Sequence, residues 1–105
     1  MRLAVYWLEL AEDKLDDIYS YHFEKAGRKT ARKLINGIIL RSIDLENQPS
    51  LGPREPLLEH RKEEFRYLVY KNYKLIYWVN DKLKRIEIAN LFDTRQNPTK
   101  LEETN

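Results

Sequence analysis

The chain has 105 residues, 42% hydrophobic and 34% charged, which is enough apolar sequence for one domain and too much for a disordered chain. With no cysteine and two histidines, His22 and His60, it excludes disulfides, thiolate metal sites and cysteine nucleophiles and argues against a dedicated zinc site. Nineteen bases and seventeen acids leave a net charge of +2, with residues 1–60 at −1 and residues 61–105 at +3, too small an excess to indicate nucleic-acid binding alone.

Residues 2–7 (RLAVYW) read as a short strand. The apolar opening runs at once into Glu9, Glu12 and Asp13, so neither a signal peptide nor a membrane span is expected, and a reduced, cytoplasmic setting is. Leu8, Ala11, Leu15, Ile18 and His22 then recur at helical spacing, with Glu9, Asp13, Asp16 and Asp17 towards the other face. Gly27 is the natural stop. A second helix is predicted from about Arg28 to Asn47, with Ala31, Ile35, Ile38, Ser42 and Leu45 as its main stripe. The short link makes the pair an antiparallel hairpin. Gly37 lies mid-helix, where glycine costs about 1 kcal/mol relative to alanine. Close approach of the two helix backbones is one explanation and chance is the other.

Residues 48–64 hold three of the four prolines and read as an irregular connection that packs on the domain. Three strands follow, over residues 65–71, 73–79 and 85–92, rich in aromatic and β-branched residues. A tight turn at Lys71-Asn72, with the asparagine tolerating positive φ, would set Leu68 opposite Leu75 and Arg66 opposite Tyr77. Leu68, Tyr70, Tyr73, Leu75 and Tyr77 then share the face the helices cover. Tyr67, Val69, Lys74, Ile76 and Trp78 share the other, which is too apolar to stay wholly in water although no helix remains for it. A partner or RNA surface at Tyr67, Ile76 and Trp78 is one reading, and cover by residues 48–64 is the other. The remaining residues, DTRQNPTKLEETN, leave the sheet. The fold class is α+β: a strand, an antiparallel helix hairpin and a three-stranded antiparallel meander in one small sheet (β-α-α-β-β-β). This makes a single domain over residues 1–98 with a short polar tail, 99–105.

Trp7, Ala11-Glu12, Leu15, Ile18 and Tyr21, then Ala31 and Ile35, Pro49 and Gly52, Phe65-Arg66, Tyr73-Lys74-Leu75-Ile76-Tyr77 and the closing Asp93-Thr94-Arg95-Gln96-Asn97-Pro98 stand in this order. Over about Val5 to Pro98 the chain resembles the RelE/ParE superfamily, the toxic halves of bacterial type II toxin–antitoxin pairs. The resemblance implies a cognate antitoxin partner and one of two unrelated activities. RelE-like members cut messenger RNA on the ribosome. ParE-like members poison DNA gyrase without a known need for a catalytic residue.

Cleavage through a ribose 2′-hydroxyl needs a base, cations for the pentacoordinate phosphate and an acid at the leaving oxygen. By resemblance the candidates are Lys74, standing where RelE-like proteins have arginine, Arg95 near the end of the last strand, Arg66 as a third cation, and Glu55 in a Glu-Pro-Leu string like that of YoeB. Each has a structural alternative. Lys74 reads most simply as an exposed strand lysine, Glu55 as a solvated loop charge and Arg66 as a surface partner of Glu63 or Glu64, while Arg95 reads equally as a clamp on the tail through carbonyl contacts. His22 reads as a helix-face residue at the core margin and His60 as a weak proton-transfer candidate. Lysine at position 74 loses the bidentate phosphate fork of arginine, and the histidine that YoeB uses near its C-terminus has no counterpart in Leu91-Phe92-Asp93. The weighing favours the ParE-like branch: a gyrase-binding toxin with no cofactor and no metal. A ribosome-dependent endoribonuclease is the alternative, and a degenerate antitoxin-binding protein the second. For a gyrase poison, the outer face of the hairpin, with Asp16, Asp17, Lys29, Arg32 and Lys33, is the expected contact surface.

Overall fold

A computed structural model describes residues 3–96 and 98–104. Of the segments read from sequence, Arg2 in the first strand, Asn97 in the closing block and Asn105 in the tail lie outside the described residues. β1 (Ala4–Trp7) leads into α1 (Glu9–Ala26) and α2 (Arg28–Ile43), and β2 (Arg66–Tyr70), β3 (Tyr73–Asn80) and β4 (Arg85–Asp93) complete the sheet. Its order is β1-β4-β3-β2, with β1 parallel to β4 and the other pairs antiparallel. The expected α+β class holds, and the first strand closes the sheet on the far side of the last.

Glu9 and Glu12 sit in the first turn of α1, where the helix dipole favours them. Gly27 alone separates the helices: at φ 88° it donates its N–H to the Phe23 carbonyl and accepts from Ala31 N–H. The helical stripes face inward as their spacing demands, with Ala11, Ala31, Ile38, Ser42 and Leu45 buried. The second helix is shorter than expected, since Asp44–Glu46 tighten into a 3₁₀ turn that still carries Leu45 into the core.

Gly37 is explained by a different neighbour from the one anticipated. A Cβ there would fall inside the Tyr70 phenol, so the glycine admits a tyrosine from β2 rather than the first helix backbone. Register in the β2–β3 hairpin follows the sequence reading, with Leu68 opposite Leu75 and Arg66 opposite Tyr77. The positive φ falls on Lys71 instead of Asn72. Asn72 is used otherwise: its amide donates to Asp93 Oδ1 at 3.2 Å and its carbonyl accepts from Thr94 N–H.

One face of the sheet packs Leu68, Tyr73, Leu75, Tyr77, Ile86, Ile88 and Leu91 against the helices. The other carries a second cluster of Leu58, Phe65, Ile76, Ala89, Phe92 and Leu101, with Tyr67 and Trp78 partly buried at its margin. Residues 48–64 thus supply part of its cover through the 3₁₀ turn Pro56–Leu58. The rest comes from residues read as leaving the sheet. Pro98–Glu103 form a 3₁₀ helix that returns Leu101 to the cluster at 1% exposure. Buried Asn90 donates to Thr104 Oγ1 at 3.0 Å, and Arg61 donates to the Glu102 carbonyl at 2.9 Å.

Candidate functional site

Glu55 and Lys74 meet on the face of the second cluster. Pro56 begins the 3₁₀ turn and Glu55 caps it, its carboxylate accepting from Leu57 N–H at 3.3 Å. Lys74 Nζ donates to the other carboxylate oxygen at 2.6 Å and lies 4.2 Å from the Tyr67 ring centroid. The Glu55 side chain is 1% exposed and that of Lys74 20%. Glu55 is therefore a buried cap and counter-ion, neither a solvated charge nor a base open to a substrate. Lys74 is its partner and not a freely exposed strand lysine.

Arg95 is elsewhere. It follows β4 past Asp93, which pairs with Tyr73 on the helix-facing side of the sheet, whereas Lys74 pairs with Phe92 on the opposite side. Arg95 Nε and Nη2 donate to Asp93 at 3.1 and 3.0 Å, and its side chain is 66% exposed. These hydrogen bonds hold the Asp93 carboxyl at about 2, below its usual 3.8. The clamp is thus on a carboxylate and not on tail carbonyls. Around it lies an open cavity of about 480 Å³ whose walls include Lys14, Tyr21, Tyr73 and Lys100. The Tyr73 hydroxyl is 2.9 Å from His22 Nε2, and burial pushes the phenol up. His22 is thereby a core-margin residue with a defined partner.

Arg66 belongs to neither group. It donates to the Gly52 carbonyl at 2.8 Å and to Glu64 at 3.1 Å, one of the two acids anticipated for it. It pins the loop that Tyr77 also holds, through bonds from Gly52 N–H and to the Pro49 carbonyl, both 2.9 Å. His60 is exposed, 3.6 Å from Glu102. Of the apolar residues assigned to a partner, Tyr67 and Trp78 are half-buried, but Ile76 is fully buried and offers a partner no surface. Among the described residues, no three His, Cys, Asp or Glu side chains gather where a metal could bind, and no helix is long and apolar enough to cross a membrane.

Sequence reasoning missed Asp93 as the partner of Arg95. The Asp-x-Arg spacing beside a strand end carried the signal, because an aspartate there accepts from the backbone two residues on, and Arg95 N–H does donate to Asp93 Oδ1 at 2.9 Å. It placed His22 and Tyr73 but missed their contact, which joins residues far apart in the chain.

A single small sheet with an antiparallel helix hairpin on one face is the architecture expected from the RelE/ParE resemblance, and the 3₁₀ segments on the other face are an addition to it. The match to a family is specific: the model for the ParE toxin of the type II toxin–antitoxin system, parDE, covers residues 5–98, and the chain belongs to that family. Among solved structures, the chromosomal ParDE toxin–antitoxin system from P. aeruginosa is similar, with a TM-score of 0.73 at 20% identity, covering 88% of this chain and 96% of that one. No curated protein sequence matches.

Proposed function

We propose that this chain acts in the cytoplasm as a growth-arresting toxin that binds DNA gyrase and is neutralised by a cognate antitoxin. Family membership supports a toxin. The observation that favours a binding poison over a ribosome-dependent nuclease is that each of the four candidate catalytic residues is engaged by a partner within the domain. Lys74 is occupied by buried Glu55, Arg95 by Asp93 across the sheet, and Arg66 by the Gly52 carbonyl and Glu64. In-line phosphoryl chemistry needs cations and an accessible base converging on one phosphate; of the four candidates only Lys74 and Glu55 converge, and they do so as an ion pair whose carboxylate is 1% exposed. The antitoxin is expected to cover Tyr67 and Trp78 at the margin of the second cluster, Ile76 having been withdrawn into it. On the outer face of the helix hairpin, the α1 side with exposed Asp16 and Asp17 is the proposed gyrase contact.

The test is a supercoiling assay with purified gyrase and excess toxin, run beside primer extension on translated messages during induction. Loss of supercoiling or trapping of cleaved DNA–gyrase complexes, with intact messages, is the expected result. Arg95→Ala, an exposed change, should leave the arrest in place. Full supercoiling activity together with cleavage at ribosomal A-site codons that Arg95→Ala abolishes would overturn the proposal in favour of the nuclease.

A further inference from the structure

The modest net charge conceals a segregation. Residues 25–43 contain six bases (Lys25, Arg28, Lys29, Arg32, Lys33 and Arg41) and no acid, whereas the rest of the chain, with thirteen bases and seventeen acids, carries −4. Four of the six fill the first half of α2 as two rows spaced four residues apart, Arg28 with Arg32 and Lys29 with Lys33, so each row advances about 6 Å along the axis. All four are exposed. Among the described residues none of them makes an ion pair. Like charges at this spacing repel, and α2 has no acid in its first turn to offset cations at the positive end of its dipole. The arrangement costs the isolated domain stability, with no ion pair of these four among the described residues to offset it.

Shape narrows the partner. Arg28 and Arg32 line two grooves, one of about 430 Å³ beside Tyr19 and one of about 790 Å³ beside Tyr70, while Lys29 and Lys33 line the second alone. The guanidinium row therefore stands on a crest with cations reaching to both flanks. An acidic helix seated in one groove would leave the opposite flank uncompensated. The major groove of a duplex admits an α-helix and presents a phosphate track on each side of it. We propose that the first half of α2 is a phosphate-binding ridge for double-stranded DNA, contacted through Arg28, Lys29, Arg32 and Lys33. Such contacts carry no base readout, so binding would be sequence-tolerant and strongly salt-dependent.

The experiment is fluorescence anisotropy of the purified full chain with a short labelled duplex over a salt series. With four phosphates engaged, the plot of log K against log salt should have a slope of about −3.6. Replacing all four residues by glutamine should weaken binding about tenfold or more at about 50 mM salt and bring the slope towards zero. The pair Arg28→Gln with Arg32→Gln, which serves if the fourfold variant does not fold, should halve the slope. Lys82→Gln with Lys84→Gln, in the β3–β4 turn, should leave it unchanged. No duplex binding at about 100 μM protein, or an unchanged slope in the ridge variants, would overturn the proposal. Displacement of the duplex by poly-glutamate at equal charge would also overturn it, assigning the ridge to an acidic protein. No gyrase is present in this assay, so its failure leaves the gyrase reading standing, and an inert toxin in the supercoiling assay leaves the ridge standing.

Discussion

Replacing Lys74 by methionine and Glu55 by glutamine should have unequal effects, because the two partners are unequally buried. Lys74→Met strands a carboxylate that is 1% exposed, with the Leu57 N–H at 3.3 Å as its remaining donor among the described residues. Removing one partner of a buried pair costs about 3–5 kcal/mol, and the opening left by the partly exposed lysine places this case near 3. Glu55→Gln keeps the volume but only one acceptor oxygen, so one of the two donors is left facing the amide NH2, while the ammonium retains the Tyr67 ring at 4.2 Å and access to water. That change should cost about 1 kcal/mol. The double variant has no unpaired charge and should lie close to Glu55→Gln, giving a coupling of about 3 kcal/mol across the cycle. Urea unfolding followed by the fluorescence of Trp7 and Trp78 measures all four proteins. On a domain of this size, Lys74→Met should lower Tm by about 12 °C or more. Equal small losses in both single variants would refute the buried-pair account. A Lys74→Met protein of native stability that no longer arrests growth would refute it more deeply, by giving Lys74 a direct functional role.

Gly37→Ala should destabilise by about 1–2 kcal/mol despite the gain in helix propensity, and Tyr70→Ala should remove the penalty of the glycine change, as thermal melts of the single and double variants would show. Leu101→Ala should cost about 2–4 kcal/mol in urea unfolding, although the residue stands in a stretch that reads as polar tail. Asp93 has a folded value of about 2 against an ordinary 3.8, so its stabilising contribution is present above the ordinary value and is lost as pH falls through about 2. Asp93→Asn should therefore cost about 1 kcal/mol at neutral pH, with a difference from wild type that closes in that acid window.

The elements with short-range signals were legible. Helical spacing placed Ala31, Ile38 and Ser42 inward, and a two-residue turn fixed every pair from Arg66–Tyr77 to Tyr70–Tyr73. What escaped depends on contacts between distant residues. Leu101 is one leucine among polar neighbours and has no periodic companion to announce its burial. Gly37 could be seen to need a reason, but the tyrosine that supplies it arrives from another element. The candidate site was legible as a set of residue types and not as a constellation. Alternation puts Lys74 and Tyr73 on opposite faces, yet only the path of the chain beyond β4 shows that Arg95 goes with Tyr73.

The parallel pairing of β1 with β4 sets the order in which this chain can acquire its fold. Ala4 finds its partner at Arg85, and β4 lies between β1 and β3. During synthesis the helix hairpin and the β2–β3 hairpin can form from local contacts, but β1 has no neighbour until the strand near the end of the chain is made. Until then the two hairpins can cover each other only in part, without Ile86, Ile88 and Leu91 of β4, and the closing step carries the entropy of bringing almost the whole chain into a loop. A message truncated before β4 would yield a product without the centre of its sheet, suited to degradation. In a family whose members are toxic, that makes the finished length of the chain a condition for harm.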